Sequence, residues 1–178
     1  MEFVDYKCLE SLLIEGEELI AIESTEDYQK VNLKDNSTIQ IKFLDKQFSV
    51  KVSYGTSYKS DGRTIGNPKT IKKQENAIKK LIPVLNKLSL ENKSDIIKTI
   101  QRDAKEIYGK DLPDDLNVFD YFIPKTIYAV NTDNNKDKGK RIIAIMDPRY
   151  KLDPEHGAGI EFTNEKYSNG PIQSDYFY

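Results

Sequence analysis

The spacing of hydrophobic residues changes twice along this 178-residue chain, and these changes restrict the folds it can adopt. In residues 39–52, apolar residues alternate with polar ones around a turn at Asp45 and Lys46, which is the pattern of a β-hairpin with one buried face. In residues 71–107 the apolar spacing becomes that of amphipathic helices, and in residues 126–162 it returns to strands. This order predicts an α+β fold, with two central helices packed on one side of a mostly antiparallel sheet.

The two helices have recognisable ends. Asn67 and Pro68 form a favourable N-cap and first-turn pair for the first helix. Pro83 interrupts its apolar stripe, so we predict either a kink at that residue or a break into two pieces. The second helix is predicted from about Ser94, and Gly109 is placed to end it.

Three strands are predicted after the helices. Residues 126–130 and 141–146 form apolar runs, and the second is apolar enough to lie centrally in the sheet. Residues 160–162 read as a returning strand. We predict an extended segment near residues 118–122 and an irregular tail that includes residues 169–171.

The length fits a single domain of residues 1–178. N-terminal strands and the hairpin occupy residues 1–54, a loop and the two helices residues 55–110, and the C-terminal strands residues 117–178. The glycines of the loop at residues 55–68 lack the spacing of phosphate-binding and dinucleotide-binding loops, so no cofactor is predicted.

The sequence favours a cytoplasmic protein. No apolar run is long enough to span a bilayer, and the N-terminus lacks the basic and apolar regions of a signal peptide, so no membrane association is predicted. Cys8 is the only cysteine, which excludes an intramolecular disulfide and agrees with a reducing compartment. We interpret Cys8 as a structural thiol rather than a nucleophile.

Charge is distributed unevenly along the chain. Residues 1–35 carry a net charge of −7 and residues 69–110 a net charge of +6. The basic residues of this region are lysines except for Arg102, and the region lacks interleaved aromatic residues for base stacking. A solvated helix surface is therefore favoured over a nucleic-acid interface.

Residues 153–159, Asp-Pro-Glu-His-Gly-Ala-Gly, contain the only histidine of the chain. Asp153, Glu155 and His156 are candidate acid/base residues, and Asp153 and His156 are candidate metal ligands. Further carboxylates lie upstream and downstream, at Asp147 and Asp175. Since no second histidine completes a common metal motif, we favour a tight turn in which Gly157 has a positive φ and Glu155 and His156 hydrogen-bond to neighbouring segments.

Part of the chain resembles a family of bacterial domains of unknown function. The resemblance covers about the last third: Phe-Ile-Pro-Lys-Thr-Ile-Tyr at residues 122–128, the strand at Ile142, and the turn and strand start at residues 153–160. In that family a Pro-x-x-Ile strand precedes another strand and a D-x-E-H-G turn. Leu152 stands where the family usually has tryptophan.

The resemblance implies an α+β protein of the bacterial cytoplasm. Some members are encoded near toxin or contact-dependent systems, which implies an immunity or other partner-binding role, and the likeness identifies no catalytic residues. We therefore predict a non-enzymatic protein-binding module, such as an immunity protein whose partner is a toxin or another neighbouring gene product. The alternative is a small metal-dependent or acid/base hydrolase centred on His156.

Overall fold

The computed structural model describes residues 33–55, 57–58, 64–65, 68–133 and 136–177. The strands predicted before residue 33 and the interpretation of Cys8 lie outside the described residues.

A six-stranded sheet forms the centre of the fold, with strand order β1-β2-β5-β6-β7-β8. Its strands are β1 (Thr38–Phe43), β2 (Lys46–Tyr54), β5 (Thr126–Ala129), β6 (Ile142–Asp147), β7 (Ala158–Thr163) and β8 (Lys166–Gln173). Two short strands, β3 (Ser57–Tyr58) and β4 (Thr64–Ile65), pair separately within the segment that was predicted to be only a loop.

Neighbouring strands of the large sheet are antiparallel except for β2 and β5, which are parallel. Helices α1 (Pro68–Glu91) and α2 (Lys93–Tyr108) lie in the connection between these two strands. A parallel pair needs a long crossover of this kind. The predicted α+β class and the mostly antiparallel sheet are confirmed.

Helix α1 continues through Pro83, so the break that we predicted as one alternative does not occur. Pro83 is exposed, whereas Ile78, Leu81 and Leu85 are completely or almost completely buried on the opposite side. Burial of that apolar stripe offsets the roughly 3 kcal/mol that an interior proline costs. Among the described residues, no helix has the length and apolarity that crossing a bilayer requires.

Helix α2 ends as predicted. Gly109 has a φ of 64°, and its backbone N–H donates to the carbonyl oxygen of Lys105 at 3.0 Å. A left-handed conformation at this position is favourable for glycine because it has no Cβ.

The main core lies between one face of the sheet and the two helices. It includes alternate residues of the strands, such as Ile41, Val50 and Ile145, packed with α1 and α2. On the opposite face, Tyr128, Ala144, Met146 and Phe177 form a smaller cluster. Phe177 belongs to a 3₁₀ helix, Ser174–Phe177, at the end of the described chain.

The predictions for two segments, the C-terminal tail and residues 118–122, were wrong. The predicted tail contains β8, whose Gly170 and Pro171 are buried. This strand lies at the edge of the sheet, where proline is tolerated, and shifts in its register with β7 obscure the expected alternation. The segment near Val118 forms a 3₁₀ helix, Val118–Asp120, rather than an extended chain, because Asn117 accepts the backbone N–H of Phe119 at 3.3 Å.

Candidate functional site

The turn between β6 and β7 begins at a buried carboxylate. Asp147 is 4% exposed, and its two oxygens accept the backbone N–H groups of Ile123 at 2.8 Å and Arg149 at 3.0 Å. Hydrogen bonds from backbone N–H groups stabilise a buried carboxylate that has left water. Asp147 therefore anchors the start of the turn to the segment before β5.

Asp153 organises the rest of the turn. Its carbonyl oxygen accepts the backbone N–H of Gly157 at 2.8 Å, and its Oδ1 accepts the backbone N–H of His156 at 3.3 Å. Gly157 has a φ of 68°, which is the positive value predicted from the sequence. Asp153 thus acts on its own backbone as aspartate commonly does in tight turns.

Further hydrogen bonds connect the turn to the end of β8. The hydroxyl of Ser174 donates to the carbonyl oxygen of His156, and the backbone N–H of Ser174 donates to the carbonyl of Gly157 at 3.2 Å. Gln173 Nε2 lies 3.4 Å from Asp153 Oδ2. Glu155, in contrast, is exposed at the tip of the turn.

The imidazole of His156 pairs with Asp153, with Nδ1 2.9 Å from Oδ1. The hydrogen bond and negative charge of Asp153 raise the pKa of His156, and the charges of Asp175 and Glu155 act in the same direction. The imidazole side chain is 44% exposed. The pair carries a proton to higher pH than free histidine does.

We expect the pKa of His156 to fall when Asp153 is replaced by asparagine. Because the folded-state pKa is raised, the pair's contribution to stability is complete below the unfolded pKa of about 6.5 and is lost as the pH rises through the folded pKa. An NMR titration of the single imidazole measures the folded-state pKa of His156 in the wild type and in Asp153→Asn. An Asp175→Asn variant, which lacks only a more distant charge, should lower the pKa less. Equal pKa values in wild type and Asp153→Asn would contradict the pairing.

A groove of about 270 Å³ lies beside the turn, between α2 and the end of β8. We call it the α2 groove. Asp103 and Ile107 of α2, together with Tyr150, Asp153 and Ile172, line it. The turn therefore contributes Asp153 to the groove, whereas His156 is not one of the described residues that line it.

The carboxylate of Asp103 lies in the wall of this groove on the α2 side. Burial raises its pKa and outweighs the opposing effect of two hydrogen bonds. These come from Arg102, 3.2 Å from Oδ1, and from the Tyr150 hydroxyl, which donates to Oδ2 at 3.1 Å. Burial likewise raises the pKa of Tyr150, so its hydroxyl stays protonated and keeps donating.

The sequence did not identify Asp103 as a site residue, although a signal was present. Asp103 falls on the apolar stripe of α2, three residues after Ile100 and four before Ile107. A carboxylate on the buried side of a helix is uncommon unless a partner satisfies it. Its partner Tyr150 lies in a distant part of the chain, so periodicity could not reveal the pair.

The predicted candidates are only partly brought together. Asp153 and His156 are in contact, Glu155 and Asp175 are near enough to affect the pKa of His156, and Asp147 is engaged with backbone groups. Among the described residues, no group of three or more histidine, cysteine or acidic side chains could hold a metal ion.

Comparisons with protein-family models, with curated proteins and with solved structures gave no match. The resemblance of residues 122–160 to a bacterial family thus stays a prediction, and the function of the groove has to follow from its geometry.

Proposed function

We propose that this chain is a non-enzymatic, cytoplasmic protein-binding domain, such as an immunity protein, whose partner toxin docks over the α2 groove. The observation that carries the proposal is a pair of large apolar side chains at the C-terminal end of α2. Ile107 is 53% exposed and Tyr108 is 50% exposed. Adjacent exposed residues of this size beside a groove are a feature of protein interfaces.

Tyr108 is already held in position for binding. Its hydroxyl donates to the carbonyl oxygen of Leu152 at 3.0 Å, which connects α2 to the turn between β6 and β7. The ring therefore loses little freedom when a partner covers it. Tyrosines of this kind are frequent among the residues that dominate binding energy.

The chemistry of the groove indicates the partner. Ile107 and Ile172 supply apolar surface. Two carboxylates, Asp103 and Asp153, lie on the same lining with one cation, Arg102, which pairs with Asp103. A partner that inserts an apolar side chain next to a lysine or arginine would complement both features. This pattern supports a partner with a locally basic surface.

The geometry favours binding over acid/base hydrolysis at His156. The Asp153–His156 pair corresponds to the carboxylate and imidazole of the catalytic triads of hydrolases, which also need a nucleophile bonded to the imidazole. The imidazole lies outside the α2 groove lining, and Ser174, the nearby hydroxyl residue, donates to the His156 backbone carbonyl instead of its ring. Protein binding needs no nucleophile beside the imidazole.

We expect the Tyr108→Ala variant to weaken binding of the toxin encoded by the neighbouring gene by at least about 2 kcal/mol, because it removes a preordered interface ring. Isothermal titration calorimetry with the purified toxin measures the loss. Leu90→Ala is the matched control, since Leu90 is a large exposed residue, 40% accessible, at the end of α1. Circular dichroism checks that both variants fold.

Two outcomes would count against the proposal. The toxin could fail to bind the wild-type chain, which would remove the function itself. Alternatively, Tyr108→Ala and Leu90→Ala could bind equally well, which would place the interface elsewhere than the α2 groove.

A further inference from the structure

A second cavity, of about 300 Å³, lies between the first three turns of α1 and the connection from β5 to β6. We call it the α1 cavity. Ala77, Val130 and Ile142 supply apolar lining, and Thr70 and Gln74 supply polar lining. None of these residues belongs to the α2 groove, so the cavity is independent of the proposed docking surface.

Gln74, one of the lining residues of this cavity, has an acceptor that no described residue pairs with. The residue is 5% exposed, and its Nε2 donates to the carbonyl oxygens of Gly55 at 2.9 Å and Ala129 at 2.8 Å. These two bonds determine the orientation of the amide, since a reversed amide would set its oxygen against two carbonyls. In the described part of the chain, no donor reaches the buried Oε1 of Gln74.

An unpaired buried acceptor is costly, because it has lost its water without gaining a protein partner. Native structures that retain such a group commonly use it for a ligand or a bound solvent molecule. The cavity that Gln74 lines offers space for a molecule with an N–H or O–H group. Because Oε1 is buried, the lining has to move before that group can reach it. We therefore expect a ligand of this cavity to carry a hydrogen-bond donor for Oε1 of Gln74.

The cavity lining also carries positive charge. Lys73, Lys140 and Arg141 are its cations, and Asp133 is the carboxylate among its described lining residues. Lys73 lies 3.1 Å from Asp133, with 72% of its side chain exposed. Lys140 lies 2.8 Å from Asp137, with 51% of its side chain exposed.

Exposed ion pairs of this kind contribute little to stability. The two lysine ammonium groups can consequently exchange their carboxylate partners for a ligand anion at small cost. Arg141 is different, because it makes two bonds of 2.7 Å to Glu165 and stays fixed in that pair. Lys73 and Lys140 are thus the cations available to a ligand.

We propose that the α1 cavity binds a small anion that also carries a hydroxyl or amino group. The anionic group contacts Lys73 and Lys140, and the donor group reaches Oε1 of Gln74. Ala77 and Ile142 accommodate the short carbon skeleton between the two groups. Phosphate and carboxylate anions share this chemistry, so the test includes both.

The experiment is an NMR titration of the ¹⁵N-labelled full chain with glycerol 3-phosphate and, in parallel, with glycerate. We expect saturable shift changes in the residues that line the α1 cavity. Propyl phosphate lacks the hydroxyl groups of glycerol 3-phosphate and glycerol lacks the anion, so each should bind at least about tenfold more weakly than glycerol 3-phosphate. Tighter binding of glycerol 3-phosphate than of glycerate identifies a phosphate ligand, and the reverse identifies a carboxylate.

Lys73→Ala should weaken binding of the tighter probe by about tenfold. Lys87→Ala is the matched control, because Lys87 is also an exposed α1 lysine paired with a carboxylate, Glu91, but does not line the cavity. Absence of saturable shifts with both probes would overturn the proposal. So would equal losses in the two variants, or equal binding of propyl phosphate and glycerol 3-phosphate.

Discussion

Replacing Gly157 with alanine should lower the free energy of unfolding by about 2–5 kcal/mol. Two costs add: the φ of 68° strains a residue with a Cβ, and that Cβ would lie 2.8 Å from the carbonyl oxygen of Asp147 and 2.9 Å from Cα of Pro148. Both neighbours are backbone atoms, which cannot turn aside as a side chain could. Urea denaturation followed by circular dichroism measures the change.

Gly139→Ala separates the two costs. Gly139 also has a positive φ, 88°, but a Cβ there would meet no atom within 4 Å. That variant should lose only the conformational part, about 1–2 kcal/mol. Equal losses in the two variants would show that the close approach between the turn and the end of β6 is not what requires glycine.

Replacing Lys79 with methionine should cost up to about 3–5 kcal/mol, because it removes the buried cation of a buried carboxylate. The cation that remains, Lys72, has a largely exposed side chain and lies 3.4 Å from the other oxygen of Glu75. Lys79 Nζ lies 2.8 Å from Oε1 of Glu75, and the two side chains are 7% and 8% exposed. Thermal and urea unfolding measure the loss. Lys87→Met is the control, because its ion pair with Glu91 is exposed and should change stability by no more than about 0.5 kcal/mol.

The double variant Glu75→Gln with Lys79→Met should recover most of that loss. It removes the buried negative charge, while the glutamine oxygen can still accept the backbone N–H of Leu33, which reaches Glu75 Oε1 at 3.2 Å. If the double variant is as unstable as Lys79→Met alone, the loss comes from packing of the lysine chain instead of charge.

The same pair predicts a direction of pH dependence for the wild type. Burial alone would raise the pKa of Glu75, but hydrogen bonds from Lys79 and Leu33 and the charge of Lys79 outweigh burial and lower it. The stability from this group is therefore present above the unfolded pKa of about 4.3 and is lost as the pH falls through the folded pKa. Lys79→Met should lose much of this acid sensitivity.

The sequence predicted those secondary-structure elements that are determined by a few consecutive residues. The alternation around Asp45 and the glycine at residue 109 each depend on a few consecutive residues, and both predictions were confirmed. Pro83 shows the limit of such reasoning. Its local cost is real, yet the packing of Ile78 and Leu85 on a sheet that the helix sequence cannot specify keeps the helix continuous.

The candidate sites were less accessible to sequence reasoning, because their contacts join distant residues. The turn around Asp153 and Gly157 could be predicted, whereas its connection to Ser174 depends on where β8 runs. Similarly, Gln74 occupies the apolar stripe of α1, three residues after Ile71. One of its carbonyl partners follows β2 directly and the other lies in β5, and only the fold shows that no described donor reaches its oxygen.

The single parallel pair in the sheet also affects how the chain assembles. Lys51 pairs with Thr126, so this junction closes a loop that contains both helices, while each antiparallel pair joins strands that are close in sequence. Closing a long loop costs more chain entropy than forming a hairpin. We therefore expect the sheet to form as a two-stranded part, β1 and β2, and a four-stranded part, β5 to β8. Helices α1 and α2 shorten the span that must close when the two parts meet.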